Sequence, residues 1–304
     1  VSADFENGIG MRMKASNTFP HNMALGSTYN PDFAYETGKA TAIEALMLGV
    51  NINLAPVADV NSNPENPVIN LRSFSEDKDV VTEFCLSFVE GSLEGGVVPV
   101  AKHFPGHGNT KTDSHIDMPI IKGSKEILME NELKPFISLI ENKVPAIMTG
   151  HLNVPAFESD NKIPASLSYN IITKLLKEQL GFKGVIMTDA LDMKAVTNYY
   201  SNSEACVMAF KAGNDILLMP PSIRDGITSI YDAVKSGKIS EERLNESVKK
   251  ILTLKRWLKL DAKNYKQETD IPKRIRLEEH YHLSKIIAEN SVTIVKADKE
   301  LLPI

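Results

Sequence analysis

Short apolar runs recur along the chain, each closing on polar residues and giving way to a stretch with helical spacing. VNINLAPVAD ends at Asp59, VVPVAKH at Lys102 and His103, VPAIMTGH at His151, GVIMTD at Asp189 and NDILLMP at Pro220. The runs are continuously apolar instead of alternating, the signature of strands covered on both faces. Between them, apolar spacing predicts helices over roughly 35–49, 77–94, 124–141, 168–180, 203–212, 223–236 and 240–259. Strand and helix alternating at this interval is the pattern of βαβ units and a parallel sheet.

An open sheet and a barrel differ in where the polar residues fall. Almost every predicted strand ends in a residue capable of chemistry, as when all strand C-termini meet around one mouth. A doubly wound sheet gathers such residues at one switch point, usually beside a Gly-rich phosphate loop, and neither GxGxxG nor GxxxxGK[ST] occurs. The expected fold is therefore a TIM-type (β/α)8 barrel, for which 304 residues is an ordinary length. VSADFENG reads as the end of a strand whose beginning is missing, so the barrel is expected to lack its first strand or strands. Residues 1–262 are assigned to the barrel. The stretch 263–304, polar up to a helical piece and then SVTIVKADKELLPI, reads either as a tail packed back on the barrel or as a linker opening a second α/β domain.

Composition narrows the function classes. Hydrophobic residues at 42% and charged residues at 24% supply a large core. The net charge of -5 comes with no basic stripe, which argues against nucleic acid as a partner. Cys85 and Cys206 form neither a disulfide framework nor a metal knuckle and leave the redox compartment open. No apolar run approaches the length of a membrane span, and residue 1 opens on no signal-peptide pattern.

The stretch AKHFPGHGNTKTDSHIDMP, residues 101–119, holds three of the seven histidines, His103, His107 and His115, beside Lys102 and Asp113. A lone histidine at a strand end is more often structural than functional. A buried Lys102 next to it is costly without a purpose. Asp113 and His115, one residue apart, can lie on the same side of a loop, where the carboxylate would fix the ring tautomer of a proton donor. The plainer reading is a turn at Asp113 and Ser114 with an exposed His115. His107, between two glycines, reads as a brace for the loop. Asp189 in IMTDALDM is placed equally well for catalysis or for capping the next helix, and Asp192 for serving that helix. Arg72 and Asp59 are a loop cation and anion that would hold a polar ligand or form a surface ion pair.

KHFPGHGNTKTDSH, APVADV, NLRSF, FPHNMALGST and IMTDALDMKAV, over nearly the whole chain, resemble the catalytic barrel of glycoside hydrolase family 3, in its NagZ-like β-N-acetylglucosaminidase branch. The histidine-bearing DSH loop is the specific part of the likeness. The resemblance implies Asp189 as catalytic nucleophile, His115 as general acid/base and Asp113 as the carboxylate orienting it. It implies Lys102, His103, Arg72 and Asp59 as sugar ligands, with Asp4 of DFENG as a weaker candidate. It also implies a retaining exo-glycosidase acting on terminal β-linked N-acetylhexosamine of peptidoglycan fragments or chitooligosaccharides, with a small carbohydrate as partner, no cofactor and no metal. SVTIVKADKELLPI resembles the opening of the C-terminal domain in two-domain members, which are more often exported to the cell envelope. Pro105 to Gly108 then reads as a hinge that swings His115 in. A histidine base adds no negative charge near an incoming anion, so phosphorolysis is a variant of the same chemistry. A metal-dependent amidohydrolase using His103, His107, His151 and Asp189 is the competing class.

Overall fold

The computed structural model describes residues 1–14, 16–114, 116–260, 275 and 277–296. Five parallel strands, β1 (Ser2–Ala3), β2 (Ile52–Asn53), β3 (Val98–Phe104), β4 (Ala146–Thr149) and β5 (Val185–Thr188), lie side by side in chain order. A parallel bridge from Met187 to Ile216 continues the progression into NDILLMP. An order that never reverses keeps right-handed crossovers, and hence the helices, on one side of the sheet. The result is a curled half-barrel of the TIM type, as expected from the sequence, and not a doubly wound sheet.

Burial on both faces explains the unbroken apolar runs. Val98, Val100, Ala146, Met148, Val185 and Met187 pack together on one face. Ala101, Phe104, Ile147 and Ile186 turn the other way, into the main core shared with the helices. Alternate residues thus feed two different cores.

The helices begin where the sequence supplies caps. The Asp77 side chain accepts from Asp79 N–H at the start of Lys78–Glu94, Ser124 caps Lys125–Glu130, and Ser201 with Glu204 forms a capping box for Asn202–Ala212. The helix predicted over 124–141 is two helices, Lys125–Glu130 and Lys134–Glu141. Pro135 cannot donate within a continuing helix but suits the first turn of a new one. Helices Asp32–Met47 and Lys78–Glu94 cross at glycines: a Cβ on Gly38 would sit 2.4 Å from Phe88 O, and one on Gly91 would sit 2.0 Å from Tyr35 O.

Within 263–304, the helix Glu278–Asn290 lies against the barrel. Ser284 Oγ donates to Thr18 O at 2.8 Å, Ile287 is fully buried, and buried His280 Nδ1 lies 2.8 Å from Glu44 Oε1. Residues 261–274, 276 and 297–304 lie outside the described residues, and with them much of the expected linker and the end of SVTIVKADKELLPI. No helix among the described residues is long and apolar enough to cross a membrane.

Replacing Gly91 with Ala should force these two helices apart and destabilise the fold by about 2 kcal/mol, more than the gain in helix propensity. Urea unfolding measures it, and an alanine variant as stable as wild type would contradict the close crossing.

Candidate active site

The C-terminal ends of the strands converge on a cavity of about 460 Å³. Asp4 and Glu6 follow β1, Lys102 and His103 belong to β3, and Asp189 directly follows β5; all five line it, with Arg12, Arg72, His107 and Ser114. Glycine at position 8, with φ +96°, turns the chain after β1 in a conformation that favours glycine.

A bulge lets two neighbouring residues of β3 face one cavity. Ala101 pairs with Ile147 and Phe104 with Thr149, so three steps on β3 oppose two on β4. The extra residue re-aims the side chains beside it. The Lys102–His103 and Phe104–Pro105 peptide bonds are both cis.

Lys102 is 2% exposed, and its ammonium lies 2.7 Å from Glu6 Oε1 and 2.9 Å from Asp4 Oδ1. Glu6 in turn accepts a two-pronged pair from Arg72, at 3.0 Å from Nε and 2.8 Å from Nη2. Arg12 donates to the far oxygen of Asp4 at 3.0 Å. Burial pushes the Glu6 carboxyl upward, but Lys102 and Arg72 outweigh it and hold the group far below the usual carboxylate range. Burial would likewise lower Lys102, and Glu6 and Asp4 reverse that and raise it. The cluster offers both fixed N–H donors and fixed carboxylate acceptors, the mixture a polyhydroxylated ring requires.

Asp189 lies at the opposite wall. Ala190 N–H donates to its Oδ1 at 2.8 Å, while Oδ2 stands 4.0 Å from His103 Nε2. Burial raises its pKa, but nearby His103 and His151 and the Ala190 N–H prevail, leaving it below the ordinary value and ionised. Asp189 N–H bonds back to Thr149 O, so its backbone is tied to β4, and its side chain faces the cavity instead of capping Lys194–Thr197, for which the N-cap is Met193.

Asp59 differs from the expectation of a direct ligand. It is fully buried and does not line the cavity. Its oxygens receive His103 N–H at 3.2 Å, the His103 ring at 2.7 Å from Nδ1 and His107 N–H at 2.7 Å. Its reach toward a ligand therefore runs through His103, whose Nε2 is left pointing at Asp189.

The expected hinge at Pro105 to Gly108 is locked. Asn66 Nδ2 donates to the carbonyls of His107 and Gly108 at 2.8 and 3.0 Å. A Cβ on Gly108 would overlap Val60 O at 1.6 Å. A hinge must change φ and ψ freely, and this segment is packed too closely to do so. His107 is the brace the sequence suggests: its Nδ1 lies 2.8 Å from Thr110 Oγ1 and its Nε2 3.4 Å from Ser114 Oγ, and burial lowers its pKa to about 4. Beyond Thr110 the loop continues through half-buried Asp113 to Ser114, whose carbonyl accepts from Ala195 N–H at 3.2 Å. His115 lies outside the described residues.

The amidohydrolase arrangement does not assemble. His151 directs Nδ1 to Ser166 Oγ and Nε2 to Ala190 O, while His103 and His107 are held as above. Among the described residues no group of three or more His, Cys, Asp or Glu is placed to hold one ion.

Two residues of the cluster escaped the sequence reading. Glu6 lies two residues past Asp4 in DFENG, a spacing that puts both on one side of an extended chain, and that period was its signal. Arg12 had only its nearness to DFENG to mark it.

Glu6→Gln should destabilise the protein by about 3 kcal/mol at pH 7, because Lys102 and Arg72 lose a buried partner. Since the folded Glu6 pKa is depressed, its contribution is full above the unfolded value of about 4.3 and is lost as pH falls further. The gap between wild type and variant in urea unfolding should therefore be constant from pH 7 to about 5 and close progressively below about 4.3. A gap that widens on acidification would reject the ion cluster.

Residues 1–254 match the family described as "Glycosyl hydrolase family 3 N terminal domain". Beta-hexosaminidase A of Pseudoalteromonas piscicida is 38% identical over 279 residues, which are 84% of this chain and 47% of that protein. A solved glycoside hydrolase family 3 beta-N-acetylglucosaminidase from Paenibacillus sp. str. FPU-7 superposes with a TM-score of 0.93 at 37% identity, over 98% of this chain and 57% of that one. A solved beta-glucoside phosphorylase, BglX, superposes with a TM-score of 0.93 at 26% identity, over 100% of this chain and 56% of that one. The chain spans about half the length of these relatives. With the family pattern running from residue 1 to residue 254 over a half-barrel whose strand ends carry the cluster above, the chain belongs to glycosyl hydrolase family 3.

Proposed function

We propose that this chain is the catalytic domain of a retaining exo-β-N-acetylglucosaminidase, with Asp189 as nucleophile and the pair Asp113 and His115 as general acid/base. The observation that carries the reading is an ionised Asp189 at the end of β5, facing a cavity whose other wall is the Asp4, Glu6, Lys102 and Arg72 cluster. Relatives named beta-hexosaminidase and beta-N-acetylglucosaminidase support the same sugar class.

In the first step Asp189 attacks the anomeric carbon while His115 gives its proton to the departing glycosidic oxygen. The C–O bond to the aglycone breaks and a glycosyl ester forms. In the second, neutral His115 takes a proton from water, the water oxygen displaces Asp189, and the sugar leaves with its anomeric configuration kept. Asp113 holds the ring in the productive tautomer. Lys102, Arg72 and His103 donate to the sugar oxygens and Asp4 accepts from its hydroxyls, which fixes the non-reducing terminal ring in a closed pocket. Terminal N-acetylhexosamine on muropeptides or chitooligosaccharides is the substrate class.

Asp189→Ala should lower kcat on a nitrophenyl N-acetyl-β-glucosaminide by about 10⁴-fold with the fold intact; near-normal turnover would remove the nucleophile assignment. His115→Ala should lower kcat/KM, which reports the first step, by about 10²–10⁴-fold on chitobiose and much less on the nitrophenyl substrate, whose leaving group needs no proton. Equal losses on both would remove the acid role. The product expected in phosphate buffer is free N-acetylhexosamine, and a sugar 1-phosphate in its place would turn the reading to phosphorolysis.

A further inference from the structure

His151 is used by none of the steps above, yet it stands directly behind the nucleophile. The ring is 1% exposed, does not line the cavity, and has both nitrogens engaged. Nε2 lies 2.9 Å from Ala190 O and Nδ1 2.6 Å from Ser166 Oγ. A backbone carbonyl can only accept, so Nε2 carries the proton. Nδ1 of the neutral ring then accepts from the Ser166 hydroxyl. Burial lowers the His151 pKa and favours this neutral form.

Ser166 is itself held. Its N–H donates to Gly150 O at 3.1 Å, and its carbonyl accepts from Asn214 Nδ2 at 2.8 Å. Asn214 Oδ1 accepts from Thr149 Oγ1 at 3.0 Å, at the end of β4. The ring is thus braced, through Ser166, against the end of β4, and what it braces is the residue whose N–H binds Asp189 Oδ1 at 2.8 Å. With Oδ1 held there, Oδ2 is the oxygen left toward His103 and the cavity.

We infer that His151 is a positioning residue which, by gripping the Ala190 carbonyl, fixes the Asp189–Ala190 turn so that Oδ1 stays on the Ala190 N–H and Oδ2 is presented for attack. This rests on Asp189 being the nucleophile. Asp189 N–H on Thr149 O and Leu191 N–H on Leu218 O hold the two flanks of the turn, so loss of the grip lets the Ala190 peptide between them tilt, and Asp189 Oδ2 is no longer held on the anomeric carbon. Misplacement of a reacting atom by about 1 Å costs on the order of 100-fold in rate, without changing the groups that hold the sugar.

The test uses the whole protein and three substitutions. The amide nitrogen of Gln reaches the position of the ring Nε2, whereas Asn reaches only that of Nδ1. His151→Asn should lower kcat by about 100-fold, and His151→Gln should recover to within about tenfold of wild type. Ser166→Ala, which keeps the ring and removes only its Nδ1 partner, should lower kcat by about fivefold. In all three the dissociation constant for N-acetylglucosamine, a probe of the sugar pocket, should stay within about twofold of wild type. A folded His151→Asn protein with wild-type kcat, a His151→Gln protein as slow as His151→Asn, or binding that weakens as much as kcat falls overturns the inference. Should His151→Asn fail to fold, the Gln and Ser166→Ala variants decide, and wild-type kcat in Ser166→Ala overturns it. Asp189→Ala is measured alongside: if it stays active, it is the nucleophile assignment that has failed.

Discussion

A lysine ammonium removed from water must be neutralised where it lies, and the mouth of this half-barrel is arranged around that requirement. Lys102 sits at the end of β3 with almost no exposure, and its counter-charges come from the end of β1. The same Glu6 is shared with Arg72, which arrives from the loop after β2. The ends of β1 and β3 and the loop after β2 are therefore locked by one group of charges. Lys102 or Glu6 alone would be strongly unfavourable in place, and with Asp4 and Arg72 they form a rigid surface of alternating donors and acceptors. Under the proposed function, sugar recognition and the integrity of the mouth use the same atoms.

Behind that surface a second layer holds His103, the loop after β3 and Asp189 in place. Asp59 gathers the His103 backbone, the His103 ring and the His107 backbone with a single carboxylate. Asn66 ties the loop carbonyls that follow, and His151 with Ser166 backs Asp189 from the other side. The two layers differ in what they require: cavity-lining groups need particular charges, and those behind need particular distances.

The fold was legible in the sequence because apolar runs and helical spacing are local and strong. Strand ends at Lys102, His151 and Asp189 stand where the runs stop, and most helices start within a few residues of their expected positions. The failures are of another kind. Pro135 divides a helix whose apolar period runs straight through, since periodicity does not register a missing N–H. Asp59 is read from its residue type and Glu6 is passed over, and whether a carboxylate faces a cavity or the layer behind it depends on contacts 40 or more residues away. The glycines at 106 and 108 suggested freedom, whereas they are there because neighbours crowd so near that a Cβ would collide with Glu132 or Val60. Glycine in a sequence reports either mobility or crowding, and only the surroundings distinguish them.

The docking of helix Glu278–Asn290 has a consequence for synthesis. His280 and Glu44 are 236 residues apart in the chain and both are buried. The early helix that carries Glu44 emerges from the ribosome with Asn17, whose Nδ2 donates to Glu44 Oε1 at 2.8 Å, already made, but with His280 still to come. Until residue 280 has been translated, that region of the barrel surface lacks the His280 ring that closes over the buried carboxylate. Its final closure therefore waits on a segment made long after the neighbouring strands, however early those strands pair.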